Sequence, residues 1–512
     1  MTLDDLRLGA TIADVLRENA YARPAAEAVT DGTRRLTWKE LHDAALSFCS
    51  RFNALGVRAG DRVAVVLPNQ IEAVILYWAC ALSGAIFVGA NPRLGHDDLE
   101  NILRHSGARV AFVPDEPLAD RVRELRLPDL REAVTLEAAD PMASLYAGIR
   151  PPANARPQSR DDAFAICYTS GTTGRPKGVV LTHAQLLWNA AEVSEVLRCG
   201  PADTFLLTVG ITHIFGLSSS LLAAAVSGSR LVVLKTFGAA TALDLCEWEG
   251  VTVLHGTPTM FVLELAAQRR APRDLSTLRT GIVAAAPVSP ELVDAIRSEL
   301  HCDVQVAWGL TETSPAVTMT RFDDDPQARR TTVGRPISGA QVRVQDEGFE
   351  YGEVLVKSPG VFSGYYNDAE LTRETFTADG WLRTGDLGVL DEHGFLQLKG
   401  RRKDIVIRGG LHVYPDEVES LLGALPWIDA VAVVGIPDAV LGERTCACIV
   451  VNDRAAAPAD LLWAVRSAIA GRLADYKLPD TVLRVAELPR NPSGKVLRGQ
   501  LRQDAIARIA AH

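Results

Sequence analysis

The chain is expected to be α/β, with a large N-terminal domain of two α/β lobes plus a small β-barrel, followed by a smaller α+β C-terminal domain. Three observations carry this. A strand–helix–strand–helix–strand cadence runs from Arg62 to Val113, and a second runs from Arg230 to Ala307. After Gly334 the texture changes to short strands separated by polar turns. A mixed α/β stretch then closes a chain of 512 residues, which is too long for one hydrophobic core.

Taken in order, Thr37 is a suitable N-cap for a helix, with Glu40 three residues on to complete a capping box. Arg62–Leu67, Ala85–Val88 and Ala108–Val113 read as strands, with helices at Ile71–Leu82 and His96–Ser106 between them. Such alternation is the signature of a parallel sheet with crossover helices. The echo places strands at Arg230–Leu234, Val251–Leu254, Leu278–Ala285 and Asp303–Ala307, and helices at Ala240–Trp248, Pro258–Ala267 and Ser289–Leu300. Gln341–Gln345, Gly352–Lys357 and Phe395–Lys399 are the short strands of a small barrel or curled sheet. Beyond Lys403, helices are expected at Pro415–Leu422 and Ala457–Leu473, with strands at Ala430–Val434 and Cys446–Val451. The expected domains are 1–402 and 403–512. The Pro/Ala-rich piece Ile149–Ser159 reads as a surface loop.

A net charge of −10, with no Lys/Arg cluster, gives no footprint for nucleic acid. The eight cysteines are scattered, and Cys446 and Cys448 lack a second Cys/His pair, so free thiols in a reducing cytosol are expected rather than zinc. Met1–Arg17 carries acids and lacks the apolar core of a signal peptide. The uncharged runs Ala73–Pro92 and Phe205–Ser229 are long enough to span a bilayer, but glycine breaks and polar content favour buried helix-then-strand segments. No integral membrane segment is expected. A homodimer is left open.

Tyr168-Thr169-Ser170-Gly171-Thr172-Thr173-Gly174-Arg175-Pro176-Lys177-Gly178 lies between two apolar strands. Its glycines let backbone N–H groups approach an anion, and its hydroxyls and ammonium are phosphate-compatible donors. The glycine spacing is wrong for a Walker A loop. Ala307-Trp308-Gly309-Leu310-Thr311-Glu312-Thr313 sits at the C-terminal end of a predicted parallel strand, where open α/β sheets bind ligands. A glutamate beside a phosphate site is a natural Mg²⁺ ligand. Asp386, following Gly385 in a turn, could accept from both hydroxyls of a ribose diol. Lys495 stands in Pro489-Arg490-Asn491-Pro492-Ser493-Gly494-Lys495 near the C-terminus.

Together these strings resemble, in their order, the motifs of the adenylate-forming superfamily, which contains acyl-CoA synthetases, nonribosomal peptide adenylation domains and luciferases. The resemblance spans about Leu36 to Arg498. It implies that acid plus MgATP gives acyl-adenylate and pyrophosphate, and that a mobile C-terminal domain then rotates about a hinge at Lys403 so that coenzyme A displaces AMP. ATP would be bound by Thr169, Ser170, Gly171, Thr172, Thr173, Gly174, Lys177, Ala285, Ala286, Pro287, Ala307, Trp308, Gly309, Thr311, Asp386 and Arg401. Thr311, Glu312, His213 and Lys495 would be catalytic, with Glu312 on the metal, and a turn at Gly409-Gly410 would let the pantetheine arm pass close to the backbone. Trp308 stands where the family usually has Tyr, and Leu411-His412 departs from its usual Glu/Phe-Asn. The task of Lys495 is electrostatic: a carboxylate and an α-phosphate brought to about 4 Å repel by roughly 4 kcal/mol at an effective dielectric near 20. An ammonium and Mg²⁺ offset that repulsion. Thiolysis by coenzyme A needs no cysteine nucleophile on the protein.

By the same resemblance, His213, Phe215, Leu217, Thr257, Ala284 and Val317 line the acid pocket, with Ala284-Ala285-Ala286-Pro287 in place of the more usual Gly-Gly-Ala-Pro. No Asp, Arg or Lys lies between Phe205 and Ser229 to hold an amino-acid ammonium or a second carboxylate. A hydrophobic monocarboxylate, fatty or related, suits this lining. Aryl or alicyclic acids stay open, as does transfer to a carrier-protein thiol in trans. A pseudoenzyme would have lost at least one of Lys177, Glu312, Asp386, Arg401 or Lys495, and all are present. Lys495→Ala is expected to abolish adenylate formation yet spare thioester formation from supplied acyl-adenylate, whereas a bulky residue at Gly409 should do the reverse. Equal loss of both half-reactions in Lys495→Ala, measured separately, would reject this division of labour.

Overall fold

Runs of β-branched and small apolar residues, alternating in the parallel parts with helices that bury one face or more, build both main sheets of the chain. The computed structural model describes residues 9–136, 158–169, 176–346, 350–452, 458–490 and 496–510. They divide into two compact units: one holds Met1–Arg330, Gly334–Gln341 and Lys357–Gly380, the other Thr331–Val333, Val342–Val356 and Trp381–His512.

In the first unit, the strands Arg62–Val65, Ile86–Gly89, Val110–Val113 and Glu132–Thr135 run parallel, and Ala163–Thr169 joins them beside Ile86–Gly89. Lys177–Thr182 folds back antiparallel on Ala163–Thr169, and Gly364–Tyr365 adds an antiparallel edge, giving seven strands. Val63, Ala64 and Val65 are fully buried, as expected of strands covered on both faces. The second sheet has nine strands. Its parallel centre comprises Arg230–Val233, Thr204–Leu207, Val253–Leu254, Thr280–Val283 and Asp303–Gly309. The helices Ala239–Glu249, Pro258–Arg270 and Pro290–Glu299 connect them, near the positions the periodicity predicts. The capping box forms: Glu40 N donates to Thr37 Oγ1 at 3.2 Å and Thr37 N to Glu40 Oε2 at 2.8 Å.

One expectation is corrected. Ala73–Pro92 is helix then strand (Ile71–Ser83, Ile86–Gly89), but Phe205–Ser229 has the reverse order. Its strand, Thr204–Leu207, comes first, and a helix of wide turns, Phe215–Leu222, runs on into Ala223–Ser227. Every residue of Phe215–Leu222 is buried, so no polar face was left to mark a helical period.

Gln341–Gln345, Gly352–Lys357, Leu382–Leu390 and Leu396–Arg401 form a four-stranded sheet that belongs to the second unit except for the strand ends Gln341 and Lys357. The C-terminal residues form another, of Leu411–Val413, Val406–Arg408, Gly442–Val451, Ile428–Asp438 and Thr481–Arg484. Alternate residues of its long strands feed separate cores. Val433, Ala447 and Ile449 pack with Val465 and Ile469, while Ala432, Val434, Cys446 and Cys448 pack with Leu488 and Leu501. All eight cysteines are free thiols. Among the described residues no helix is long and apolar enough to cross a membrane.

One core residue works against stability. Glu264, on the helix Pro258–Arg270, is fully buried, and among the described residues neither carboxyl oxygen has a hydrogen-bond partner. Burial pushes its pKa well above the ordinary 4.5. Folding is therefore least penalised below about pH 4.5, where the unfolded chain is protonated too, and stability is lost as pH rises. Glu264→Leu should stabilise the protein by roughly 1–3 kcal/mol at pH 7, with a smaller gain at pH 4.5. Thermal unfolding at the two pH values checks this, and an unchanged melting temperature at pH 7 would contradict it.

Candidate active site

The register of a hairpin fixes the ends of the glycine-rich loop. Thr169 stands directly opposite Lys177, both half-buried. Ser170, Gly171, Thr172, Thr173 and Gly174, predicted to bind phosphate, lie outside the described residues. Tyr365 pairs with Val179 on the outer strand, and Tyr366 N donates to Gly178 O at 2.7 Å. This brings the Lys177 ammonium to 5.4 Å from the centroid of the Tyr365 ring.

The second motif closes on the same tyrosine. Ala307 and Trp308 are buried in the strand Asp303–Gly309. A Cβ on Gly309 would sit 1.7 Å from the Pro315 carbonyl oxygen, so only glycine permits this close return of the chain. Thr311–Thr313 then form one tight turn, pinned from several sides. Thr313 Oγ1 accepts from Leu310 N at 2.8 Å, Asn189 Nδ2 donates to Ala316 O at 2.7 Å, and Ser314 Oγ donates to Gly360 O at 2.8 Å. Phe362 N donates to the Glu312 carbonyl at 2.9 Å, and the Tyr365 hydroxyl donates to Glu312 Oε1 at 2.8 Å. Thr311 and Glu312 are half-buried. Lys177, Tyr365 and Glu312 are thus consecutive neighbours although the sequence separates them widely. Among the described residues no cluster of three or more His, Cys, Asp or Glu could enclose a metal ion. A lone carboxylate suits Mg²⁺ only as an ion shared with phosphate oxygens and water.

The predicted acid-side residues lie on neighbouring elements. Phe215, Leu217 and Val317 are buried, and His213 is half-buried, its Nδ1 accepting from Phe215 N at 3.3 Å. Thr257 caps the helix Pro258–Arg270 by accepting from Met260 N. Ala284 is half-buried, while Ala285, Ala286 and Pro287 are exposed after the strand Thr280–Val283. Ala285 has φ of +73°, a left-handed backbone that costs a residue with a Cβ about 1–2 kcal/mol.

Sequence reasoning missed two residues here, Tyr365 and His255. Phe215 stacks on the His255 ring, with centroids 5.7 Å apart and planes 14° from parallel. His255 lies within hydrogen-bond reach of Ser219 O through Nε2 (3.0 Å) and accepts from Ile282 N through Nδ1 (3.0 Å). That pairing requires a neutral ring with the proton on Nε2, and burial lowers its pKa to about 4. A lone histidine in an apolar stretch gave no signal for this role. For Tyr365, a Tyr-Tyr doublet after Gly364 was the one trace.

The remaining predicted residues belong to the second unit. Asp386 faces Arg401 across adjacent strands, and Arg401 Nε lies 2.8 Å from Asp386 Oδ1. The turn before Asp386 is held by Glu353, which accepts from Gly385 N at 3.1 Å and from Arg383 at 2.8 Å. Lys403 sits in the exposed turn Arg402–Asp404. Gly409 and Gly410 form the two-residue hairpin between Arg408 and Leu411 with φ of +58° and +82°, which a primed turn requires. Lys495 lies outside the described residues, and a bridge between Arg490 and Val496 joins the chain on either side of it.

The chain matches the family model described as AMP-binding enzyme over residues 16–366 and the one described as AMP-binding enzyme C-terminal domain over 417–495. It is 36% identical over 498 residues, covering 93% of this chain and 95% of the relative, to the "3-[(3aS,4S,7aS)-7a-methyl-1,5-dioxo-octahydro-1H-inden-4-yl]propanoyl:CoA ligase" of Rhodococcus jostii. Among solved structures, the anthranilate CoA ligase AuaEII in complex with anthranoyl-AMP is similar with a TM-score of 0.90 at 28% identity, covering 100% of each chain. ATP-bound MatB from Rhodopseudomonas palustris gives 0.88 at 29% identity, covering 96% of this chain and 99% of that one.

The buried histidine sets an acid limit. Since His255 titrates near 4 when folded against an ordinary 6.5, its contribution to stability is complete above about pH 6.5 and is lost as pH falls through about 4. The full loss is on the order of 3 kcal/mol. Urea unfolding of His255→Asn between pH 7 and 5 should show a pH slope shallower by up to one proton than the parent's, and an unchanged slope would contradict the assignment.

Proposed function

The chain belongs to the AMP-binding enzyme family, and on that premise we propose that it adenylates a hydrophobic carboxylic acid and passes the acyl group to coenzyme A. It is an AMP-forming acid–thiol ligase. The observation that carries the reading is the convergence of Lys177, Tyr365 and Glu312 beside the stem of the glycine-rich loop.

In this reading a carboxylate oxygen attacks the α-phosphorus of ATP, the bond to the β-phosphate bridging oxygen breaks, and pyrophosphate departs with the electron pair. The thiol of coenzyme A then attacks the acyl carbon of the mixed anhydride, and AMP leaves. Thr169 with Ser170, Gly171, Thr172, Thr173 and Gly174 would supply the donors around the phosphates, with Lys177 as their fixed cation. Glu312 would hold a Mg²⁺ ion, which when bound neutralises phosphate charge. Asp386 accepts from ribose hydroxyls in this assignment, and the pairing with Arg401 keeps its carboxylate oriented. Domain 403–512 would turn about Lys403, bring Lys495 to the adenylation step and present Gly409-Gly410 to the pantetheine arm. Free thiols throughout suit a reducing compartment, which supports a cytoplasmic location.

The buried apolar side chains Phe215, Leu217 and Val317, assigned to the acid pocket in this reading, suit a monocarboxylate without further charge. An aryl or alicyclic acid is the second reading, supported by the flat Phe215–His255 stack and by the ring-bearing acids for which two matched ligases are named. ATP–pyrophosphate exchange across a panel of acids tests both. Exchange with hydrophobic monocarboxylates should exceed that with malonate or free amino acids by at least about tenfold, the lower end of what a single apolar contact supplies. No exchange with any monocarboxylate would contradict the proposal.

A further inference from the structure

Tyr365 contacts two groups of opposite charge, Lys177 and Glu312. Its ring carries the Lys177 ammonium at 5.4 Å, and its hydroxyl donates to Glu312 Oε1 at 2.8 Å. Among the described residues no ion pair joins Lys177 to Glu312. One side chain thus holds both charges, the cation over its ring and the carboxylate on its hydroxyl, and a direct ion pair would leave each occupied by the other. The ring itself is well anchored. Tyr365 N donates to Thr372 Oγ1 at 2.9 Å, and Phe362 meets the ring edge-on with centroids 4.8 Å apart. Phe362 N also holds the Glu312 carbonyl, so the segment Phe362–Tyr365 grips both the main chain and the side chain of Glu312.

We propose that Tyr365 is a positioning residue of the adenylation half-reaction, a spacer whose hydroxyl aims the Glu312 carboxylate at the metal–nucleotide complex while its ring keeps the Lys177 ammonium available to phosphate. The inference rests on the reading of Glu312 as the metal-facing carboxylate. The hydroxyl and the ring have separable tasks. Tyr365→Phe keeps the aromatic face and removes the hydrogen bond, whereas Tyr365→Leu removes both.

The experiment compares Tyr365→Phe, Tyr365→Leu and Glu312→Gln with the parent protein, using Mn²⁺ as a spectroscopic stand-in for Mg²⁺. Mn²⁺ binding in the presence of ATP is read by electron paramagnetic resonance, and ATP–pyrophosphate exchange is followed as a function of free Mg²⁺. Tyr365→Phe should weaken Mn²⁺ binding and raise the Mg²⁺ requirement by about tenfold, the scale for losing an outer-shell partner of a metal ligand. Its kcat at saturating metal should stay within about twofold, because the carboxylate itself remains. Tyr365→Leu should also raise KM for ATP, a defect that extra metal does not repair. Unfolding temperatures matched to the parent separate positioning from loss of fold, and a destabilised Tyr365→Leu leaves Tyr365→Phe to decide. Wild-type metal dependence in Tyr365→Phe, with Glu312→Gln impaired, overturns this inference alone. An unimpaired Glu312→Gln overturns the metal reading and this inference with it.

Discussion

A carboxylate and a triphosphate repel, and joining them requires positive charge held where neither a salt bridge nor bulk water can neutralise it. In the proposed reading Lys177 is that charge, and the first unit would hold it through pairing of backbone rather than through a dense cluster of charges. Strand register sets Thr169 against Lys177 and Val179 against Tyr365. Because both pairings share the strand Lys177–Thr182, the cation, the aromatic ring and the stem of the glycine-rich loop hold fixed positions relative to one another. Glu312 is added by a turn whose main chain is hydrogen-bonded to the same segment.

Rigid support around the site comes at a local cost in stability. Ala285 keeps a left-handed backbone at the end of the strand Thr280–Val283, and Gly309 is irreplaceable because the chain returns on itself against Pro315. Strain of this kind persists only where the surroundings over-determine it, and it gathers at the ends of central strands where α/β sheets bind ligands. The neutral His255, wedged between the Ser219 carbonyl and the Ile282 amide, fastens the helix of wide turns to the parallel sheet. Glu264 has no comparable compensation and stands as a weakness of the core.

Much of this was legible in the residues alone. The two strand–helix cadences, the Thr37–Glu40 capping box and the turn at Gly409-Gly410 all depend on local chemistry, and local chemistry is what a sequence displays. The family resemblance likewise follows from contiguous strings. Tyr365 was out of reach because its importance lies in contacts with Lys177 and Glu312, far away along the chain. His255 was missed for the same reason, since its partners Phe215, Ser219 and Ile282 come from three other stretches. The order of strand and helix in Phe205–Ser229 was misread because a helix buried all round has no amphipathic period. Asp386 and Arg401 were each singled out, but their pairing across two strands becomes evident only once the register is known.

The central claim is that a carboxylate oxygen of the acid becomes bonded to the α-phosphorus of ATP. The most direct measurement follows an acid carrying oxygen-18 in its carboxylate through one turnover with ATP and coenzyme A. The account predicts AMP containing a single labelled oxygen and pyrophosphate containing none. Unlabelled AMP, or label recovered in orthophosphate alongside ADP, would contradict it.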